Sequence, residues 1–253
     1  MNTVAGRKPY QGLLQILRFN RRAYLGTLAG VGLTMLASPF LPPMERAVLA
    51  VGVAPLLFWM ASSLIVSHYV YDRFPLYDLN WIARTLRRMP RRWINIHCGL
   101  DETSGLLTAL FPETAGETAD IFDAQVMTEP SIRVARRLTR CAIPAAAARY
   151  DALAFNAGTF DAAFAIFAAH ELRRHDQRVK LFREIARILT PVGDFVLVEH
   201  SRDLWNFIAF GPGCLHFFSK RAWRKAACDA GMTVRTEFSM TPFVHVYSLR
   251  RAK

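Results

Sequence analysis

Residues 159–201 constrain the fold of this 253-residue chain more than any other segment. The run at residues 162–169 is apolar, uncharged and too short for a membrane span, which is typical of a buried parallel strand. Apolar residues then recur with helical spacing over residues 179–189, and Thr-Pro-Val-Gly at residues 190–193 ends the helix because proline cannot continue it. A second apolar run follows at residues 195–198. Strand, helix and strand within about forty residues predict one right-handed crossover unit of a parallel sheet.

The order of motifs in this segment resembles the second half of a class I S-adenosylmethionine-dependent methyltransferase with a type 11-like domain. Phe-Asp at residues 160–161 opens the first strand, His170 follows it, the helix ends in REIARIL, and the next strand closes on Glu-His. Family members typically carry two glycines in the turn before that strand, whereas Val192 replaces one of them here. The resemblance covers about residues 93–249. It implies an α/β fold, a Rossmann-like seven-stranded domain that binds S-adenosylmethionine and transfers its methyl group.

Two long uncharged segments precede this domain. Residues 23–44 and 47–67 contain 22 and 21 residues without a charged side chain. A helix of that length crosses a hydrocarbon core of about 30 Å. The turn between them is rich in proline, and Pro55 predicts a kink in the second helix. We therefore expect a membrane helical hairpin at residues 23–67. A shallow insertion into one leaflet and a buried helical pair in a soluble protein stay open as alternatives.

The positive charge is concentrated in the N-terminal third of the chain. Residues 1–92 carry 12 Lys and Arg against three acids, which is +9 of the net charge of +12. Basic side chains beside apolar segments are typical of membrane association, and they disfavour a nucleic-acid partner. The positive-inside rule predicts the inner membrane, with the catalytic domain facing the cytoplasm. Residues 1–22 are predicted to form a basic amphipathic helix at the interface, with a signal peptide as the alternative.

The predicted juxtamembrane segment, residues 68–92, combines arginines with Tyr69, Tyr71, Tyr77 and Trp81. Aromatic rings and guanidinium groups both settle in the headgroup layer of a bilayer. A helix over residues 77–88 is therefore expected along the membrane surface. The alternative is that these aromatic side chains pack the domain against its anchor.

The loop at residues 97–105 holds the first group of expected cofactor residues. The resemblance places a glycine-rich loop here, in which glycines let the backbone approach the methionine part of the cofactor. Gly99 is retained, whereas His97 and Asp101 stand at the other glycine positions. Asp101 or Glu102 could pair with the ammonium group of the cofactor. Alternatively, the segment is only a strand-to-helix turn capped by a hydroxyl side chain.

Two further acids are expected at the cofactor. The predicted second strand, residues 119–122, ends at Asp123, and an acid at that point of a Rossmann-type domain receives the ribose hydroxyls. A helix is predicted next, at residues 130–140. Asp151 lies in a segment that resembles the family's acid-containing L-P-F segment, which implies that Asp151 and Ala152 contact the adenine edge. An ordinary strand-end or loop acid is the alternative in both cases.

The candidate catalytic residues, His170 and His200, follow the predicted fourth and fifth strands, where open α/β sheets bind their ligands. Each could act as a general base, or instead cap a helix or fill space beside the cofactor. Residues 202–218 are expected to form an apolar lid over the substrate, or to pack against the anchor. The predicted substrate-binding residues of this lid are Trp205, Asn206, Phe210 and His216.

These features predict a methyltransferase domain at residues 93–253 that acts at the membrane on a lipophilic acceptor. A quinone precursor, a polyene, a fatty-acyl chain or another lipid would fit. The alternative is a non-catalytic methyltransferase-like scaffold with protein partners at the membrane, because the reduced glycine loop could have lost the cofactor. The four cysteines lack C-x-x-C spacing, so reduced core thiols are expected and neither a zinc site nor a disulfide framework is predicted.

Overall fold

The computed structural model describes residues 8–138 and 145–252, so Arg7, Arg140 and Cys141 lie outside the described part of the chain. The strands are β1 Arg92–His97, β2 Ala115–Asp120, β3 Ala146–Ala147, β4 Phe160–Ile166, β5 Leu189–His200, β6 Met232–Thr241 and β7 Val244–Arg251. They form one seven-stranded sheet in the order β3-β2-β1-β4-β5-β7-β6. β1 to β5 pair in parallel, whereas β7 is antiparallel to both β5 and β6. The predicted Rossmann-like α/β fold is confirmed.

Eight helices accompany the sheet in the described part of the chain: α1 Gln11–Phe19, α2 Arg21–Ala37, α3 Pro43–His68, α4 Ser104–Leu110, α5 Pro130–Leu138, α6 His175–Ile188, α7 Leu204–Phe210 and α8 Lys220–Asp229. The predicted crossover is β4-α6-β5. α6 buries Leu181, Phe182 and Ile185 against the sheet. The turn expected at residues 190–193 lies instead inside β5, where the register against β4 shifts between Phe160 and Ala162.

β2 begins four residues earlier and ends two residues earlier than the sequence indicates. It spans Ala115–Asp120, so its last residue is Asp120, and Asp123 follows in a turn. The exposed first half of this strand contains small and polar residues, which hide it from a search for apolar runs. Gly116 lies directly against the indole of Trp93, and a Cβ atom there would collide with that ring. The prediction that Asp123 ends the strand is therefore wrong.

α2 and α3 project an unusually large apolar surface. The most apolar 18-residue windows of the spans Arg21–Phe40 and Pro43–Asp78 have mean hydropathies of 1.3 and 2.1 and are 6% and 0% buried. Both are long and apolar enough to cross a membrane by length and composition alone. α3 continues as one helix through Pro55. Tyr24 Oη lies 3.1 Å from Ser63 Oγ, so the domain-proximal ends of α2 and α3 contact each other.

Residues 77–88 do not form the expected α-helix. The chain forms a π turn at Tyr69–Arg73 and two short 3₁₀ segments, Pro75–Asp78 and Asn80–Arg84, separated by Leu79 with a positive φ of 57°. The physical reason is burial, because this segment closes one face of the sheet, where it forms a core with Trp93 and Phe164. The alternative that these residues pack the domain against its anchor agrees with this arrangement.

Candidate functional site

A cavity of about 600 Å³ lies at the carboxyl ends of β1, β4 and β5. The loops after these strands form its floor, and α1, α2, α3 and the segment after α7 form its roof. Of the predicted site residues, five line it: Glu102, His170, His200, Phe210 and His216. Tyr71, Glu171 and Phe167 line it as well, and sequence reasoning did not assign them to the site.

The loop after β1 turns at Gly99, whose φ of +96° is the left-handed conformation that glycine adopts without strain. His97 is buried beneath this turn, and its Nδ1 accepts the Gly99 N–H at 2.9 Å. Burial lowers the pKa of His97, so its imidazole is neutral and can accept this bond. Asp101 accepts the backbone N–H groups of Thr103 and Ser104 at 3.1 and 2.9 Å. His97 and Asp101 therefore shape the loop and do not line the cavity.

Glu102 connects the loop to the N-terminal helices. Its Oε1 accepts hydrogen bonds from Gln11 at 3.1 Å and Gln15 at 2.8 Å, both on α1. Its Oε2 accepts the hydroxyl of Tyr77 at 3.0 Å. Asp72 in turn accepts the first backbone N–H groups of α1, from Gly12 and Leu13. α1 is thus fixed over the glycine loop.

Asp120 occupies the strand-end position that the sequence assigned to Asp123. It pairs with Arg136 of α5, whose Nη1 lies 3.0 and 2.7 Å from the two carboxylate oxygens. The same Nη1 donates to the Cys98 carbonyl at 2.9 Å, and a Cβ atom on Gly99 would collide with this guanidinium group. Arg136 therefore covers the surface between the glycine loop and the acid. Asp123 accepts the Gln125 N–H at 2.8 Å and closes a local turn.

Asp151 and Ala152 lie in an exposed turn away from the cavity lining. The hydrogen bonds from Arg149 at 3.0 and 3.1 Å hold the pKa of Asp151 below its usual range. The following residue, Leu153, is bonded through its N–H to Glu184 and through its carbonyl to Arg187. This turn is thus fixed on α6.

His170 is held between two carboxylates. Its Nδ1 lies 2.8 Å from Glu199 Oε2, its N–H donates to Glu199 Oε1 at 3.1 Å, and its Nε2 lies 3.5 Å from Glu171 Oε1. Burial alone lowers the pKa of His170, but these two carboxylates outweigh it and raise the pKa to about 10. In this arrangement both ring nitrogens have carboxylate partners, which disfavours the predicted role as a general base.

His200 has the opposite environment. Burial lowers the pKa of His200 to about 4, so the ring is neutral at pH 7. Its Nδ1 lies 2.8 Å from the Phe243 carbonyl, which can only accept, so Nδ1 carries the hydrogen and Nε2 accepts from Tyr71 Oη at 2.7 Å. The ring stacks between Phe167 and Phe217 at centroid distances of 5.1 and 4.8 Å. Phe167 has a positive φ of 52°, a strained conformation at the cavity wall.

The predicted lid divides into an inner and an outer part. Phe210 and His216 line the cavity, whereas Trp205 is 58% exposed and lies outside the cavity lining. Asn206 is buried and donates to Asp203 at 3.1 Å and to the Phe243 carbonyl at 3.2 Å, so it fixes α7 instead of binding substrate.

The lid also rests on α3. The Phe207 and Trp59 rings meet edge to face at 5.7 Å, and Ser62 Oγ lies 3.5 Å from the Ile208 carbonyl. Phe207 and Ile208 of this segment therefore contact α3, whereas Phe210 and His216 line the cavity.

The sheet order and a cavity at the carboxyl ends of its parallel strands define the architecture of a class I methyltransferase domain. Comparison with known families agrees, because residues 104–197 match the family model of a methyltransferase domain. No curated protein shows a significant sequence match.

Solved structures share the fold at low sequence identity. An S-adenosylmethionine-dependent methyltransferase from Aquifex aeolicus is 15% identical over 74% of this chain and 97% of its own, with a TM-score of 0.53. A putative methyltransferase solved with the Haloferax volcanii Trm112 methyltransferase activator is 16% identical over 78% and 96%, with a TM-score of 0.52. Mitomycin 7-O-methyltransferase is 14% identical over 98% of this chain and 74% of its own, with a TM-score of 0.54.

The residues at the end of β1 and β2 fit S-adenosylmethionine, provided that Arg136 moves. Gly99 supplies the left-handed turn that permits close backbone approach, and Asp120 supplies an acid at the end of the second strand. The Arg136 side chain is 31% exposed, so it has room to leave.

Proposed function

We propose that this protein is a membrane-associated methyltransferase that methylates a lipophilic acceptor bound in the cavity between α1–α3 and the sheet. The observation that carries this proposal is the difference in side-chain polarity between the part of the cavity wall next to the sheet and the roof. Next to the sheet the wall contains the ionisable groups of Glu102, His170 and His200, whereas the roof has no charged side chain and combines neutral polar groups with apolar side chains, among them Ile16, Leu56, Trp59 and Met60. An amphipathic acceptor with a polar reacting end and an apolar tail would match such a wall.

The surface outside the cavity supports the same proposal. Most of the large exposed apolar side chains lie on α2, on α3 and on the segment from α7 to Leu215. Contiguous apolar surface of this kind is typical of a membrane or partner interaction site. Arg21 and Arg22 stand at the start of α2, at the end of the helical pair that is joined to the domain. We infer that α2 and α3 insert into the bilayer and that the acceptor enters the cavity from it.

Bound S-adenosylmethionine would supply an electrophilic methyl group. The contribution of the chain is to orient the acceptor and, where the acceptor atom is a hydroxyl oxygen, to take up its proton. We assign this role to Tyr71 and His200: Tyr71 lines the cavity, and its oxygen would take up the proton of the acceptor while its own proton passes to Nε2 of the neutral His200. Asp120 would hold the ribose, and the turn at Gly99 would lie beside the methionine part.

The cofactor assignment is tested by calorimetric titration of the detergent-solubilised full chain with S-adenosylhomocysteine. Asp120→Asn should weaken binding at least tenfold, because a carboxylate accepts two ribose hydroxyls and an amide keeps only one accepting oxygen. Asp123→Asn is the matched control and should bind like the wild type. Weaker binding by Asp123→Asn than by Asp120→Asn would assign the ribose to Asp123. Wild-type affinity in both variants would mean that neither carboxylate binds the ribose.

The membrane assignment is tested by flotation with vesicles that contain anionic lipids. Leu33 and Leu36 of α2 are 68% and 73% exposed, and Leu33→Lys together with Leu36→Lys should abolish flotation, since a charged side chain in the hydrocarbon core is unfavourable by up to about 3 kcal/mol. Val192→Lys on the domain surface, where the side chain is 47% exposed, is the control and should float normally. Equal flotation of both variants would refute insertion of α2.

A non-catalytic scaffold is the second candidate function. The observation in its favour is Arg136, which occupies the surface that a cofactor would need at Gly99 and Asp120. A scaffold would show no binding of S-adenosylmethionine or S-adenosylhomocysteine by well-folded protein in lipid.

A further inference from the structure

Three side chains at the cavity wall can bind one ion. His170 and Glu171 belong to a 3₁₀ segment after β4, Ala169–Glu171, and His216 ends a second one, Gly211–His216. One ligand atom from each of the three lies within 4.8 Å of the others. We propose that His170, Glu171 and His216 form a binding site for a divalent transition-metal ion of the Zn²⁺ type.

The strongest support is the carboxylate of Glu171. The residue is only 6% exposed, yet among the described residues Glu171 Oε2 has no hydrogen-bond partner. A buried carboxylate oxygen without a hydrogen-bond partner is energetically unfavourable. Glu171 also lines the cavity. A cation bound by both Glu171 carboxylate oxygens, with Oε1 beside His170 Nε2, would satisfy Oε2.

Glu199 supplies the outer partner that metal-binding histidines usually have. It is 1% exposed and lies 2.8 Å from His170 Nδ1, which leaves Nε2 directed at Glu171. A carboxylate on the far nitrogen fixes the orientation of the ring and increases the basicity of the ligating nitrogen. Glu199, His170 and the metal would therefore form a carboxylate–histidine–metal unit, in which the metal replaces the proton on Nε2 and that proton is released to solvent.

The two segments that carry the ligands are already joined. Arg173 Nη1 donates to the His170 carbonyl at 3.2 Å and to the His216 carbonyl at 2.6 Å. His216 Nδ1 lies 3.7 Å from Glu129 Oε1. Three carboxylates therefore surround the site against the guanidinium groups of Arg173 and Arg178, and both of these groups donate to backbone oxygens. The local charge favours a cation.

The ligand set selects the class of ion. Two imidazole nitrogens and one carboxylate suit Zn²⁺ and its first-row neighbours, whereas Mg²⁺ and Ca²⁺ prefer oxygen ligands alone. Tetrahedral bonds of about 2.0–2.1 Å require ligand atoms about 3.4 Å apart, close to the 3.5 Å between His170 Nε2 and Glu171 Oε1. Only His216 has to approach by a side-chain rotation.

Three protein ligands leave a position open towards the cavity. An oxygen of the acceptor, from a hydroxyl, carboxylate or phosphate group, could occupy it. This last step rests on the proposed methyl transfer, whereas the metal site itself does not.

The test uses the full chain in detergent, treated with EDTA and desalted, and titrated with Co²⁺ while the visible d–d absorption is recorded. We expect one equivalent of Co²⁺, displaced by Zn²⁺. Glu171→Gln and His216→Gln should each weaken Co²⁺ binding at least tenfold. Glu199→Gln should weaken it about 10–100-fold with the absorption spectrum retained, because it removes an orienting group and no ligand.

His175→Gln is the matched control, because His175 pairs with Asp229 at 2.7 Å at the start of α6 and should not affect Co²⁺. S-adenosylhomocysteine titration and circular dichroism of each variant report the fold and the cofactor site separately, so failure of methyl transfer cannot be mistaken for failure of the metal site. Absence of stoichiometric Co²⁺ binding by the wild type would overturn the proposal. So would equal binding by the Glu171, His216 and His175 variants.

Discussion

Arg136 is the residue whose removal should most change cofactor binding. In the described conformation its guanidinium group covers Gly99, pairs with Asp120 and donates to the Cys98 carbonyl. A cofactor that uses the strand-end acid must first break these contacts. Arg136→Ala removes them in the free protein and should therefore tighten binding of S-adenosylhomocysteine.

The expected gain follows from the exposure of the pair. The Arg136 and Asp120 side chains are 31% and 19% exposed, so solvent screens the ion pair and its contribution is close to the ~0.2–1 kcal/mol of surface pairs. The hydrogen bond to the Cys98 carbonyl adds about 1 kcal/mol. A total of about 1–2 kcal/mol corresponds to roughly 5–30-fold tighter binding.

Calorimetric titration of Arg136→Ala beside Arg133→Ala measures this gain. Arg133 is exposed on the same helix, so its replacement removes the same formal charge and leaves the Arg136–Asp120 ion pair intact. Tighter binding in the Arg136 variant alone supports the reasoning. Weaker binding would refute it, because Arg136 would then contribute to the bound state. No binding by any of these proteins would favour the scaffold.

Three further outcomes are expected. Burial lowers the pKa of His200 from its usual 6.5 to about 4, so its contribution to stability is full above pH 6.5 and is lost as the pH falls towards 4. Urea unfolding should show the wild type losing about 3 kcal/mol more than His200→Gln between pH 7 and pH 4, and parallel pH profiles would contradict this. Gly211 has a φ of +56°, and a Cβ atom there would lie 2.5 Å from Trp59 Cδ2. Gly211→Ala should therefore lower the free energy of unfolding by about 1–3 kcal/mol. Gly213→Ala is the control and should be neutral, because the nearest neighbour of a Cβ atom on Gly213 is 3.9 Å away. Thermal melts compare the two, and equal melting temperatures would show that the lid does not depend on this contact. Tyr71→Phe should slow transfer of the labelled methyl group of S-adenosylmethionine to a hydroxyl acceptor in membrane lipid extracts at least tenfold. Its affinity for S-adenosylhomocysteine should be unchanged. An unchanged transfer rate would exclude the Tyr71–His200 pair from proton transfer.

The fold could be predicted because its signals are local. The β4-α6-β5 unit has an apolar strand, an amphipathic helix and a second apolar strand in succession, and each pattern depends only on nearby residues. The same reasoning missed the start of β2, because its residues are small and partly exposed and its position depends on Gly116 fitting against Trp93. That one error moved the strand-end acid from Asp120 to Asp123.

The site was less predictable because its chemistry depends on contacts between distant residues. Tyr71 and His200 are 129 positions apart, and no spacing rule connects them. His170 was expected as a base from its place after β4. Its position between Glu171 and Glu199 makes it a hydrogen-bond partner of two carboxylates instead. A signal was present in the sequence, since the segment after β4 contains a His-Glu pair and β5 ends in a Glu-His pair.

The N-terminal helices are part of the site as well as a prospective anchor. Glu102 of the glycine loop is bonded to α1, Tyr71 beyond α3 is bonded to His200, and Trp59 of α3 contacts the lid. Residues 68–92, expected as a linker, also fill the core beneath Trp93. The segment from residue 93 onward would therefore lose the cavity roof and expose this apolar face if it were isolated. If α2 and α3 insert into the bilayer as we propose, the same helices form the cavity roof and the membrane contact, so substitutions that prevent insertion should also weaken acceptor binding.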